Sequence, residues 1–282
     1  MIVAVASGKG GTGKTTVSVN LARAIDKEIL LLDCDVEEPN AHIFIQGKPI
    51  KQHTVNVPIP KVKEDLCKEC GECAKICEFN AIVSFNTVPL IFPELCHSCG
   101  GCIKVCPEKA LFEIDNPIGE LRFYKNGKIS LIEGRLKIAH PMAPPLIKSL
   151  KKHIDPQKLV ILDAPPGTSC PVIATLKGSN FIILVTEPTP FGLNDLKLAV
   201  ETVLELDIPF GVIINKNEPG KSIIDEYCQE KNIPILIKIP NQRRIAEHYS
   251  KGKILVDVAP EYKNLFIDLW QQVQKLAKNS TL

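Results

Sequence analysis

The first sixteen residues do most to limit what this chain can fold into. Ile2-Val3-Ala4-Val5-Ala6 is a short apolar run, and it leads straight into S-G-K-G-G-T-G-K-T-T from Ser7 to Thr16. Gly8, Gly13, Lys14 and Thr15 satisfy G-x-x-x-x-G-K-[ST] in the required setting, with a strand before and a helix after. Gly8, Gly10, Gly11 and Gly13 let backbone N–H groups, those of Thr12 and Thr16 among them, close around phosphate oxygens, and the helix start adds its positive dipole end. Lys14 is placed to reach the β- and γ-phosphates of ATP, and the Thr15 hydroxyl to coordinate Mg2+. A glycine-rich turn that binds nothing is the competing reading.

The rest of the chain agrees with a sheet covered by helices. Short buried-looking runs at Ile2–Ala6, Ile29–Leu32, Leu159–Leu162, Phe181–Val185, Gly211–Ile214 and Ile235–Ile239 alternate with helical stretches. Those stretches are Lys14–Ala24, Leu193–Leu206, Ser222–Glu230, Arg243–Ser250 and Glu261–Ala277. The alternation predicts an α/β fold with a mostly parallel sheet and helices on both faces. In the last stretch Tyr262, Leu265, Phe266, Leu269, Trp270, Val273 and Leu276 share one apolar face. Its polar face is not strongly basic, which favours packing on a core over lying on a membrane.

One segment breaks the alternation. Cys67, Cys70, Cys73 and Cys77 recur 29 residues later as Cys96, Cys99, Cys102 and Cys106, so eight of the eleven cysteines form one duplicated unit. Residues 64–115 hold nine acidic and four basic side chains, a net of −5, against +7 for the remainder of a chain whose total is +2. That near-neutral total gives no case for nucleic acid as the main partner. Glu120–Tyr124 and Lys128–Ile132 flank Asn126-Gly127 and predict a returning hairpin, residues 119–133. The expected organisation is therefore a discontinuous core, 1–50 and 135–282, with an insert at 51–134.

Each cysteine run reads C-x2-C-x2-C-x3-C, the bacterial ferredoxin spacing, in which three cysteines bind one [4Fe-4S] cluster and the fourth binds the other. Cluster I would take Cys67, Cys70, Cys73 and Cys106, and cluster II would take Cys77, Cys96, Cys99 and Cys102, in a ferredoxin-like α+β insert. Zinc is the competitor, but its tetrahedral sites use pairs of cysteines and leave a third at this spacing without a job. The first run ends Cys77-Glu78 where the second ends Cys106-Pro107, so Glu78 is a candidate carboxylate beside cluster II.

K-G-G-T-G-K-T, with Lys9 as a second lysine, resembles the deviant Walker A motif of the MinD/ParA superfamily of P-loop ATPases. L-L-L-D-C-D-V-E-E-P-N-A-H from Leu30 to His42 is similar to that family's strand and switch I, V-I-L-D-A-P-P-G from Val160 to Gly167 to its Walker B strand and switch II, and the resemblance spans nearly the whole chain. It implies slow, partner-stimulated ATP hydrolysis in a nucleotide-dependent homodimer, with Lys9 reaching the partner's ATP. It further implies that Asp35 orients or deprotonates the attacking water, Asp163 holds Mg2+, Gly167 senses the γ-phosphate, and Asn215 and Pro240 contact the base. Either Asp33 or Asp163 could instead cap the following helix. Cys170 falls in the segment where the related nitrogenase iron protein carries a cluster ligand, although a helix-start role fits it better.

The expected function is ATP-driven dimer closure coupled to electron transfer through two [4Fe-4S] clusters, with donor and acceptor unidentified. The alternatives are an iron–sulfur cluster carrier or assembly ATPase and a MinD-like positioning ATPase. Residue 1 opens no recognisable signal peptide, and no run approaches the roughly 18 apolar residues of a membrane span. A cytoplasmic location is expected.

Overall fold

The computed structural model describes residues 1–138 and 140–279. The chain enters through β1 (Ile2–Ala6), α1 (Lys14–Ala24), β2 (Ile29–Asp33) and α2 (Ala41–Ile45). It continues through β3 (Lys51–Val62), α3 (Glu72–Lys75), β4 (Ile82–Val83), β5 (Leu90–Ile91) and α4 (Gly101–Val105), then β6 (Leu111–Asn126) and β7 (Ile129–Leu136). The remainder is α5 (Pro144–Lys151), β8 (Leu159–Asp163), α6 (Cys170–Leu176), β9 (Phe181–Thr186), α7 (Pro190–Glu205) and β10 (Phe210–Asn217). It ends with α8 (Ile223–Glu230), β11 (Ile235–Pro240), α9 (Arg243–Ser250), α10 (Leu255–Val258) and α11 (Glu261–Asn279).

Two compact units emerge. Among the described residues the first comprises 1–52, 121–135 and 147–279, and the second 53–120, 136–138 and 140–146. In the first, the strand order β11-β10-β9-β1-β8-β2-β7-β6 is parallel from β11 to β7. These strands read as unbroken Val/Ile/Leu runs because both faces are covered. Val3, Val5, Leu31, Ile161, Phe181, Ile183 and Ile213 are fully or almost fully buried. Phe266, Leu269 and Val273 of α11 are fully buried in the same core as Val17 and Leu21 of α1, so the apolar face of the last helix packs inward. Among the described residues no helix is long and apolar enough to cross a membrane.

Helix starts are written locally. Thr189 accepts the Gly192 N–H at 3.0 Å with Pro190 in the first turn, so α7 begins three residues before the apolar periodicity does. Ser222 and Asp225 form a reciprocal capping box on α8.

Between β6 and β7 Gly127 takes φ 58°, and the second unit begins at residue 53, close to the expected 51, while its other end does not fall at 134. Residues 121–135 group with the first unit because β7 pairs in parallel with β2 along its length, from Ile29↔Ile129 to Asp33↔Glu133. The hairpin is thus partly a component of the central sheet. The second unit takes 136–146 in exchange, and within it Leu146 is fully buried and Lys137 donates its N–H to Ile118 O at 2.8 Å.

Inside the second unit the 29-residue repeat is carried by the backbone. Gly71 and Gly100, which start α3 and α4, sit at φ/ψ 75°/1° and 72°/2°. Glu69 and Ser98 share φ 55° and 56°, and Asn80 and Lys109 share 53° and 51°. A small antiparallel pair, Ile82↔Ile91 and Val83↔Leu90, closes the unit.

Candidate functional site

The first site begins where β1 ends. Gly13 takes φ 97°, a conformation L side chains rarely adopt, and a Cβ there would collide with the Asn215 amide. From this residue α1 starts, so the N–H groups of its first turn face a cavity of about 430 Å3. Its walls include Gly10, Gly11, Gly13, Lys14, Thr15, Thr16, Asp35, Asn40, Asn215, Pro240, Asn241 and Tyr249. Lys14 is buried, and burial lowers its pKa against the pull of Asp163, Asp35 and Asp33. Burial also pushes the Asp35 carboxyl up to about 6, opposed by Lys14 and reinforced by Asp163.

Asp163 ends β8, one strand from β1. Its Oδ1 accepts the Ser18 hydroxyl at 3.0 Å, while Oδ2 is buried without a hydrogen-bond partner among the described residues. Burial pushes its pKa to about 6, with Thr15, Lys14 and Ser18 opposing. A buried carboxylate oxygen lacking a donor, close to a threonine hydroxyl and a lysine, is a donor set suited to a hydrated Mg2+.

Asp33, the neighbour of Asp163 across the sheet, takes the capping role. Oδ2 accepts the N–H groups of Asn40 and Ala41 at 2.9 and 3.0 Å, and Oδ1 accepts that of Asp35 at 3.2 Å. It therefore folds residues 34–40 back onto the sheet and starts α2. Full burial, with Asp163 adding to it, raises its pKa well above the ordinary carboxylate range.

Not every sequence-selected residue reaches the cavity. Gly8 approaches the Asp195 backbone so closely that a Cβ would overlap it, and Thr12 is buried. Gly167 stands at φ 93° with its N–H donated to Ser7 O at 3.0 Å, outside the cavity wall. Lys9 is held by Glu187 at 3.4 Å. Asn215 lines the cavity, but it donates Nδ2 to Thr12 O at 2.7 Å and accepts the Lys216 N–H on Oδ1 at 2.9 Å, so its amide braces the loop. Cys170 is exposed at the start of α6. Glu187, Gln242 and Tyr249 carried no motif that could have singled them out; they arrive by tertiary folding.

The second site is doubled. Cys67, Cys70, Cys73 and Cys106 line one cavity of the second unit, and Cys77, Cys96, Cys99 and Cys102 line another. Each set joins three cysteines of one run with the last of the other. The terminal cysteines are held alike, with Cys77 Sγ accepting from Ala81 N and Cys106 Sγ from Ala110 N, both at 3.3 Å. Pro107 lines the first cavity, whereas Glu78 is exposed and absent from the wall of the second, where Glu113 stands instead. His97 lines that second cavity too, stacked on Phe79 with ring centroids 3.7 Å apart. Among the described residues no three His, Cys, Asp or Glu side chains are grouped to hold a single metal ion.

The CobQ/CobB/MinD/ParA nucleotide-binding domain matches residues 3–256. An uncharacterised protein of Methanocaldococcus jannaschii is 37% identical over 224 residues, covering 77% of this chain and 78% of its own. The iron–sulfur cluster carrier protein of Aquifex aeolicus is 25% identical over 285 residues, covering 92% of this chain and 63% of its own. Among solved structures, the septum site-determining protein MinD of Pyrococcus horikoshii, complexed with Mg-ADP, superposes with a TM-score of 0.60 at 22% identity. That match covers 99% of this chain and 98% of the other and shows a shared fold.

Proposed function

Because the chain belongs to the CobQ/CobB/MinD/ParA nucleotide-binding family and is a nucleotide-binding ATPase, we propose that it couples ATP-driven dimer closure to electron transfer through two [4Fe-4S] clusters. One observation carries the reading: two cavities, each walled by four cysteines in the crossed three-plus-one arrangement that the ferredoxin spacing requires. The duplicated backbone around them supports it, since paired left-handed residues and paired N–H···Sγ bonds repeat at the same 29-residue interval. Cys67, Cys70, Cys73 and Cys106 would hold one cluster and Cys77, Cys96, Cys99 and Cys102 the other; when bound, each supplies a one-electron relay.

The nucleotide chemistry follows from the first site. Backbone N–H groups between Gly10 and Thr16 bind phosphate oxygens, and Lys14 adds a buried positive charge beside them. Thr15 and Asp163 would hold Mg2+, which when bound neutralises charge on the β- and γ-phosphates. Asp35, on the cavity wall and ionised above pH of about 6, orients a water and accepts its proton. Lys9 leaves Glu187 and reaches the ATP of a second chain, supplying positive charge where it develops in the transition state.

A second reading, cluster delivery to other proteins, is favoured by the likeness to the Aquifex aeolicus carrier. Electron transfer is preferred because Cys73, Cys96 and Cys102 are buried and four thiolates per cavity retain a cluster rather than release it. Anaerobic incubation with an apo-ferredoxin separates the two. Iron and sulfide staying with this chain supports electron transfer, and their movement to the acceptor supports delivery.

A further inference from the structure

Three acidic side chains stand in register where the parallel strands end. Asp33 of β2 pairs with Asp163 of β8 on one side and with Glu133 of β7 on the other. Asp163 belongs to the Mg2+ donor set and Asp33 caps α2, which leaves Glu133. Its side chain is fully buried, and a carboxylate withdrawn from water persists only when it is paired. Four partners among the described residues surround it. His42 Nδ1 of α2 lies 2.8 Å from Oε2, close but not aligned as a hydrogen bond, and the Tyr124 hydroxyl of β6 donates to Oε1 at 3.0 Å. Arg122 of β6 and Arg135 of β7 bring guanidinium nitrogens to 4.0 and 3.9 Å. The His42 and Tyr124 rings stack at 6.0 Å with 19° between their planes.

The opposite end of this group is fixed to the nucleotide cavity. Asp35 and Asn40 are on the cavity wall, and Asp33 binds the N–H groups of Asp35, Asn40 and Ala41. His42 is the next residue. Any displacement of residues 35–40 therefore carries His42 with it, and Glu133 cannot be left unpaired in the core. Either Tyr124 and Arg122 follow, or the carboxylate must exchange partners, which are two discrete arrangements rather than a continuum. Tyr124 and Arg122 lie on β6, a strand unbroken from Leu111 to Asn126 whose residues 111–120 are counted with the cysteine-bearing unit.

We propose that His42 and Glu133 form the joint by which nucleotide-dependent movement of residues 35–40 is passed into β6, the strand that leaves the cysteine-bearing unit. This rests on the reading of residues 35–40 as a γ-phosphate-responsive loop, and not on which group the cysteines hold. His42 and Glu133 are positioning residues: neither lines the nucleotide cavity.

The test is amide deuterium uptake of the full chain, taken as the difference between the Mg2+ complexes of a slowly hydrolysed ATP analogue and of ADP. Wild type shows that difference in residues 35–45 and again in 111–126. His42→Ala, at a position 30% exposed, keeps the difference in 35–45 and lowers that in 111–126 to under about a third, with nucleotide affinity within about threefold. His42→Gln restores part of it, and Glu133→Gln, checked first for an unchanged melting temperature, behaves like His42→Ala. Absolute uptake is not the readout, since looser packing alone would raise it in both nucleotide states. An undiminished 111–126 difference in His42→Ala overturns the joint, as does a wild-type difference confined to 35–45. No wild-type difference in 35–45 overturns the switch reading itself, and the joint with it.

Discussion

Lys9 Nζ lies 3.4 Å from Glu187 Oε2 of the same chain. The other oxygen of that carboxylate meets Lys216 at 2.5 Å, next to the loop-bracing Asn215. Burial alone would raise the Glu187 pKa, but Lys216 and Lys9 prevail and hold it below the usual range. A partly exposed pair of this kind is worth under about 1 kcal/mol, so it parks the lysine without locking it. The lysine expected to act on a second chain's nucleotide is thus free to exchange one anion for another.

Lys9→Ala is expected to bind ATP with a dissociation constant within about threefold of wild type and to lose at least about 100-fold in hydrolysis, since charge at the transition state, not at the ground state, is removed. Calorimetric titration and phosphate release measure the two separately. Unchanged turnover would contradict a role for Lys9 across a dimer.

Asp35 sets a pH dependence. Its pKa is raised to about 6, so the ionised form that orients water disappears below that value, and hydrolysis should fall about tenfold per pH unit there. Asp35→Asn should be slow at every pH and lack this limb, which separates Asp35 from titration of ATP itself. The same shift has an opposite consequence for stability. The folded state holds this proton more tightly than the unfolded chain, so the nucleotide-free protein gains from it below about pH 4 and loses that gain as pH rises through about 6. Melting curves of wild type and Asp35→Asn between those values show whether the slope belongs to this residue.

Asn215→Ala removes the bond to Thr12 O and the body that Gly13 packs against. The loop should loosen, and the ATP dissociation constant should rise about tenfold, as for loss of one buried hydrogen bond. Retained affinity would show that Gly13 and its neighbours hold their shape without the brace.

The core of this arrangement was legible because local chemistry and tertiary role coincide. Ile2–Ala6 and Lys14–Ala24 have the limits the glycine-rich motif implies, and the likeness to the bacterial ferredoxin run groups Cys106 with the first run and Cys77 with the second, the same grouping as on the two cavity walls. What escaped depends on partners distant in sequence. The Asn126-Gly127 turn marks a hairpin but not the strand beside it, since residues 129–133 pair with the distant β2, and no motif marks Glu133, which His42 and Tyr124 close over. Glu78 adjoins Cys77 in sequence, yet it is exposed and off the cavity wall, where Glu113, 35 residues on, stands instead. Short α2, α6 and α10 have too few turns for periodicity to declare them.

The crossed cysteine sets make a double-mutant prediction. Cys67→Ser and Cys106→Ser belong to one cavity although they lie in different runs, so combining them should lose no more iron than either alone, about half the total. Cys67→Ser with Cys77→Ser should lose nearly all. Iron and sulfide determination on anaerobically prepared protein distinguishes these sets from uncrossed ones, in which Cys67 and Cys77 would share a site.

The most direct measurement is electron paramagnetic resonance of the anaerobically reduced protein, with iron content, in the presence and absence of Mg-ATP. About eight iron atoms per chain are expected, with the spectrum of two magnetically interacting [4Fe-4S]+ clusters and a change in that spectrum or its midpoint potential when Mg-ATP binds. Bound zinc without iron would contradict the cluster assignment, and a two-cluster spectrum indifferent to Mg-ATP would contradict the coupling.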